Sequence, residues 1–229
     1  HTVQKLFIFF DRSNQRVNKL TDLAITSDIE IVKVEKEFFT THYPVENHQG
    51  VAILCNKRSQ EGEEFLTNIL TKKNKFLLVL DHMTDPHNVG ACIRSAAAAG
   101  VDAVIVPKDR ACHLTPTVRK VSSGASELIP FIIVTNLSRT LIKIRSYGIK
   151  VYGADQNTEN NYNEINMSGD IAIVIGSENK GLKKLTAKNC DSLISISMPG
   201  NIESLNASVS AGILLFECVR QKNQNFSSQ

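Results

Sequence analysis

Apolar residues along this chain gather in short blocks of two kinds. One kind is continuous: FLLVLD (76–81), AVIVPK (103–108), PFIIVT (130–135), IKVYGAD (149–155), IAIVIGS (171–177) and LISISMP (193–199) stay apolar for about the length of a strand. The other kind repeats at three- and four-residue spacing. It predicts helices over 89–100, 115–126, 137–147, 182–190 and 204 to about 222. Strands that are apolar throughout, without alternation, belong in a parallel sheet covered on both faces. An Asn-rich stretch, 157–166, reads as irregular. A further helix over 63–73 carries Phe65, Leu66, Ile69 and Leu70 on one side and ends in Lys72, Lys73 and Asn74. In the last helix Leu205, Val209, Ile213 and Phe216 make the expected apolar stripe.

The first 56 residues alternate in the same way on a smaller scale, with strands over 5–10, 29–34 and 50–56 and helices over 20–27 and 35–42. That is an α/β unit too short to be a comfortable independent core. His48, Gln49 and Gly50 read as a turn or as an RNA contact. Residues 57–64 (KRSQEGEE) are polar and are the best linker candidate. The division is therefore 1–58 as a small domain, 59–75 as linker and first helix, and 76–229 as the main domain. The chain enters an apolar pattern abruptly at His1, as a chain whose true start is missing would, and the polar tail 223–229 reads as frayed.

Composition narrows this picture only a little. Hydrophobic content of 42% and charged content of 21% suit a soluble globular protein. No apolar stretch approaches the roughly 18–20 residues that span a bilayer, and nothing at the start resembles a signal peptide. Five widely spaced cysteines without a CxxC argue against a disulfide framework or a zinc site and for a reducing cytoplasm. The neighbours Cys112 and His113 read as a loop pair, and no metal is expected. A net charge of +3 permits nucleic-acid binding without demanding it.

Three loops that follow apolar runs carry the candidate chemistry. Loops at the carboxyl ends of parallel strands are where such sheets bind ligands. In LDHMTDPHNVGACIRSAAAAG (80–100) Asn88 reads as a helix N-cap, and Arg94 follows in the helix. A guanidinium there suits a phosphate; the other reading is a surface arginine with an internal carboxylate partner. In GSENKG (176–181) the glycines allow a ligand to approach the backbone, or simply a strand-to-helix turn. In MPGNIESLNASVS (198–210) Ser204 reads as an N-cap, with Asn206 and Ser208 in the first turn. No GxGxxG follows a strand and no GxxxxGK[ST] occurs, which leaves a nucleotide-dependent dehydrogenase without its fingerprint.

The order N-x-G-A-x-x-R (Asn88, Gly90, Ala91, Arg94), then G-S-E-x-x-G (Gly176, Ser177, Glu178, Gly181), then Ser197 followed by S-L-N-x-S (Ser204, Leu205, Asn206, Ser208) resembles the three motifs of the SpoU (TrmH-type) branch of the SPOUT RNA methyltransferases. The likeness spans 76–222. It is strongest to the bacterial subgroup that methylates a guanosine ribose 2′-OH in 23S rRNA. The resemblance implies S-adenosylmethionine as cofactor, a C-terminal deep trefoil knot, a homodimer with the site near its interface, an RNA partner but no DNA or membrane, and an L30e-like RNA-binding domain at 1–58. It further implies that Gly176, Ile196 and Leu205 meet the cofactor through backbone groups, with Glu178, Gly181, Met198, Asn206 and Ser208 close by. The catalytic group becomes Arg94, Asn88, Ser204 and Asn206. The family's proton acceptor matches Arg94, aided by a substrate phosphate; since an arginine almost never gives up its proton, a phosphate clamp stays open as its role. Asn88 holds Arg94 or the ribose. SENKG is less glycine-rich than the usual second loop, and MPGNIE precedes the Ser-Leu-Asn, but no motif residue is lost. A tRNA 2′-O-methyltransferase and a non-catalytic rRNA-binding assembly factor of the same fold are the alternatives.

Overall fold

The computed structural model describes residues 3–11, 14–44, 48–56, 61–178 and 180–226. They divide into two compact units, 1–59 and 60–229. The linker read at 57–64 lies partly outside the described residues, as do the last three residues of the tail.

In the first unit β1 (Val3–Phe9) pairs parallel with β2 (Glu30–Val34) and antiparallel with β3 (Val51–Cys55), flanked by α1 (Gln15–Thr26) and α2 (Lys36–His42). The helix α1 begins five residues before the apolar pattern suggests, because Asn14 accepts from the Arg16 and Val17 N–H groups and caps it. Its core is small: Leu6, Ile8, Val17 and Ala24. Residues 48–50 form a turn, in which the His48 ring accepts the Gly50 N–H at 2.9 Å and stacks on buried Phe39.

The second unit starts with α3 (Glu63–Leu70) and then alternates: β4 (Phe76–Asp81), α4 (Pro86–Ala99), β5 (Ala103–Pro107), α5 (Pro116–Val121), β6 (Phe131–Val134), α6 (Leu137–Ser146), β7 (Lys150–Ala154), β8 (Ile171–Gly176), α7 (Lys184–Lys188), β9 (Ser192–Ile194) and α8 (Ala207–Phe226). The six strands are parallel throughout, in the order β6-β5-β4-β8-β7-β9. The central strands are buried at every position, as expected from their unbroken apolar runs. One face packs Val89, Ile93 and Ala96 of α4, Val118 of α5 and Ala211, Leu214 and Leu215 of α8. The other packs Leu66, Ile69 and Leu70 of α3, Leu137, Leu141 and Ile144 of α6, and Cys190 just after α7. The connection leaving β4 goes to β5 on one side, and the connection leaving β8 passes β7 to reach β9 on the other. The carboxyl ends of these two neighbours are therefore a switch point, where a ligand crevice opens.

The elements differ from the pattern in four instructive places. The helix expected over 115–126 stops at Val121, because Ser123 and Gly124 take positive φ values of 52° and 88°; a short 3-10 turn (Ala125–Glu127) follows. The strand expected to reach residue 199 ends at Ile194, because Ser195 bonds instead to Asn160 and Tyr162. The Asn-rich stretch is thus an ordered strap along β9. The last helix starts later than expected and runs on to Phe226. Its expected stripe faces outward: Val209 and Phe216 are about half exposed, while Ala207, Ala211, Leu214, Leu215 and Cys218 are buried. Either series satisfies helical spacing, and the small alanines are what let α8 lie close to α4.

Candidate active site

Asp81 and Gly176 are the last register pair of β4 and β8, and the polar chemistry begins there. Asp81 is fully buried. One of its oxygens accepts the Lys183 N–H at 2.7 Å, and the other meets the His82 ring. The segment between Gly176 and Lys183 is therefore tethered at both ends. Within it Ser177 and Gly181 exchange backbone hydrogen bonds of 3.1 and 2.8 Å. A Cβ on Gly176 would lie 2.1 Å from the Gly181 carbonyl carbon, so this glycine is needed for the loop to fold back on itself. The group seen against Gly176 is the chain's own backbone, at Gly181 and Leu182.

A hydrogen-bond chain joins the three loops. Asp85, not Asn88, caps α4: its carboxylate accepts the His87 and Asn88 N–H groups, and Pro86, which has no N–H to satisfy, occupies the first turn. Asn88 is left free to point inward and is buried. Its Nδ2 donates to Asp85 Oδ2 at 2.7 Å, and its Oδ1 accepts from Asn206 Nδ2 at 2.9 Å. The same Asn206 amide reaches Glu178 Oε1 at 3.5 Å. Asn206 Oδ1 accepts the Ser208 N–H at 2.9 Å and the Val209 N–H at 3.4 Å. Asn206, not Ser204, is thus the cap of α8. Ser204 stands clear of the helix.

Arg94 is exposed and donates to Ser123 Oγ at 3.4 Å. Among the described residues it has no carboxylate partner, so the internal ion pair is not seen there. Gly90 lies beneath it for steric reasons: a Cβ there would come 2.7 Å from Val121 Cβ. Asn88 holds Asp85 and Asn206 but not Arg94.

Beside this junction lies a cavity of about 360 Å³, of the size that small ligands occupy. Of the expected cofactor residues Gly176, Glu178, Gly181, Ile196, Met198 and Leu205 line it, and so does Ser204. Asn206, Ser208, Asn88 and Arg94 are not among its lining residues. Asp155, Gln156 and Asn157, after β7, also line it, and the motif reading missed them. The rule that found the other loops would have found these too, since they follow a parallel strand at its carboxyl end.

The electrostatics are those of a polar rim over inert thiols. Burial works to raise the Asp85 carboxyl, but the hydrogen bonds from Asn88 and His87 outweigh it and hold the group below its ordinary range. Burial, with the Glu178 carboxylate adding, pushes the Cys92 thiol up to about 12. The cavity joins apolar walls (Ile175, Ile194, Ile196) to two carboxylates, Asp155 and Glu178, and one cation, Lys180. Such a lining suits a ligand with a flat apolar part and a zwitterionic tail.

Comparison with known proteins points the same way. The profile of the SpoU rRNA Methylase family matches residues 75–216. The chain is 43% identical over 222 residues to the 23S rRNA (guanosine-2'-O-)-methyltransferase RlmB of Coxiella burnetii, covering 96% of this chain and 88% of the relative. It is 40% identical to the RlmB of Escherichia coli, covering 96% and 91%. Among solved structures, the SpoU methyltransferase AviRb of Streptomyces viridochromogenes in complex with AdoMet superposes with a TM-score of 0.79 at 23% identity, covering 97% of this chain and 84% of that one. Family profile, close relatives and shared fold agree: the chain belongs to the SpoU rRNA methylase family.

Proposed function

We propose that this protein transfers a methyl group from S-adenosylmethionine to a guanosine ribose 2′-OH of 23S rRNA. The observation that carries the reading is the Asn88–Asn206–Glu178 junction. It brings the three loops together at the rim of a cavity whose lining suits that cofactor. Relatives covering nearly the whole chain bear the name of this activity.

Bound there, the cofactor would supply an electrophilic methyl group on a sulfonium. Ile175, Ile194 and Ile196 form the apolar wall suited to its adenine. Gly176, Ile196 and Leu205 offer backbone groups, and Asp155 and Glu178 offer carboxylates to its cationic centres. Asn206 fixes the wall by capping α8 and gripping Asn88, and Ser208 and Gly181 shape it. Ser204 and Met198 line the mouth, where the ribose enters.

A ribose hydroxyl is a weak nucleophile that must lose its proton as the methyl arrives. Arg94 is exposed and guanidinium is a donor-only group. We assign it the clamp role: it grips a phosphate beside the target ribose and orients the hydroxyl. The proton then passes to that phosphate or to water.

The reading extends to the rest of the molecule. The first unit, with its small mixed sheet, serves as an L30e-like RNA-binding domain. A trefoil knot is supported by the way segments after β7, β8 and β9 converge on one cavity before α8 packs against α4. A homodimer is supported by exposed Ile202, Val209 and Phe216 next to the third loop. A cytoplasmic place accords with the ribosomal substrate; among the described residues no helix is long and apolar enough to cross a membrane.

The test is transfer of labelled methyl from S-adenosylmethionine to unmodified 23S rRNA, with unmodified tRNA alongside. Label on one rRNA guanosine ribose is expected. Label on tRNA alone keeps the chemistry and overturns the substrate; no label on either, with cofactor bound, leaves a binding protein.

A further inference from the structure

Lysines crowd one short segment at the cavity mouth, and they break a local rule. Lys180, Lys183, Lys184 and Lys188 are all exposed. Among the described residues none of the four makes an ion pair or a side-chain hydrogen bond. Several cations elsewhere do meet carboxylates: Lys5 with Glu30 at 2.9 Å, Lys75 with Asp170 at 2.6 Å, Arg145 with Asp191 at 2.8 Å, Arg220 with Glu217 at 2.6 Å. From 179 to 190 the chain contains no acidic residue, and Asp191 is already held by Arg145 and the Val151 N–H.

The placement on α7 is also unfavourable. Lys183 occupies the cap position with no side-chain cap bond, and Lys184 is the first helical residue. Lysine cannot accept the orphan N–H groups of a helix start, and two cations there face the positive end of the helix dipole. No packing gain offsets this: Thr186 is the buried residue of the helix, and Leu185 is 60% exposed. Where a sequence breaks a local rule without a structural return, function is the usual reason.

We propose that these four lysines form a docking ridge for the phosphate backbone of RNA at the mouth of the cavity. The proposal deepens the function above and rests on it. Lys180 itself lines the cavity, and Asp81 fixes the backbone at Lys183. The ridge is thereby held in register with the loop that would carry the cofactor. Unpaired ammonium groups are compact point charges suited to phosphate, and a polyanion releases counterions when it meets them.

The competing reading is a merely solvated charged face, and the molecule offers its own control. Lys72 and Lys73 are also exposed, in the turn before β4, at the opposite edge of the same sheet. The experiment measures affinity for an unmodified 23S rRNA transcript across a salt series, comparing Lys183→Ser/Lys184→Gln with Lys72→Gln/Lys73→Gln. Both pairs remove the same charge. The ridge variant is expected to bind about 10-fold more weakly, with a log–log salt slope reduced by about 1.5 to 2. Its melting temperature should hold or rise, since Ser caps α7 better than Lys, and its cofactor affinity should stay within two-fold. The control should keep both affinity and slope. Equal losses in the two variants, or no loss in either, overturn the ridge; so does a loss of binding that tracks a fall in melting temperature. Ridge-dependent binding of a transcript that accepts no methyl group would uphold the ridge and overturn the reaction. Methylation with ridge-independent binding would do the reverse.

Discussion

The two edges of the six-stranded sheet use the same strands to opposite ends. At the amino edge buried and half-buried polar groups are matched. Asp170 accepts both the Lys75 N–H and the Lys75 ammonium, at 2.7 and 2.6 Å. Asp102 accepts the Phe76 N–H at 2.8 Å, and Lys222 lies over the Phe76 ring at 4.3 Å. At the carboxyl edge Arg94 and the lysines after Gly176 have no carboxylate partner among the described residues, and a cavity stands open. Groups satisfied at one edge serve stability, while groups left with spare donors at the other are available to a ligand. The difference teaches that the site is the place where the sheet's polar chemistry stays unfinished.

That division can be broken at either edge. Arg94→Ala should cost the most: methyl transfer to rRNA falls about 1,000-fold, near 4 kcal/mol of transition-state stabilisation. Cofactor affinity, read by calorimetry, should stay within a few-fold, and a parallel loss there would mean that Arg94 belongs to the cofactor site. Gly176→Ala drives a methyl group into the Gly181 backbone. It should abolish cofactor binding and lower stability by about 2–3 kcal/mol in denaturant titration. At the other edge Asp170→Ala strands Lys75, which is largely buried. Stability should drop by about 2 kcal/mol with cofactor affinity unchanged; weakened cofactor binding would show the two edges coupled.

The smallest effect is one of pH. The Asp85 carboxyl is held below its ordinary value of 3.8. A depressed group contributes stability above its unfolded value and loses it as pH falls through the folded one. Acid unfolding of Asp85→Asn should therefore show a shallower pH dependence below about 4 than wild type. Curves that superimpose would remove Asp85 from the junction's support.

Much of this was legible in the residues. Continuous apolar runs at 76–81 and 171–176 give the parallel sheet its centre, because burial on both faces leaves no room for alternation. The three motif loops were readable because ligand sites sit at strand ends. What the sequence hid was partnership. Asn88 and Ser204 both look like caps, and the residues that cap are Asp85 and Asn206; the choice turns on which oxygen faces a free N–H in space. The outward stripe of α8 was misread because two faces of one helix satisfy the same spacing. Asp155 escaped notice because no motif marks its loop. The buried link from Asp81 to Lys183 spans 102 positions, and no local pattern encodes it.

That reach along the chain has a consequence for how the protein comes into being. Asn88 and Asn206 meet across 118 positions, and β4 acquires β8 as a neighbour only after β5, β6 and β7 have been made. Contacts so distant in sequence form late and slowly. A nascent chain that ends just before residue 206 has its first loop and every strand of its sheet, yet neither the junction nor the closed cavity. The junction and the closed cavity therefore form only once the third loop has been made. The site is thus assembled last, when α8 packs against α4 and Asn206 reaches Asn88.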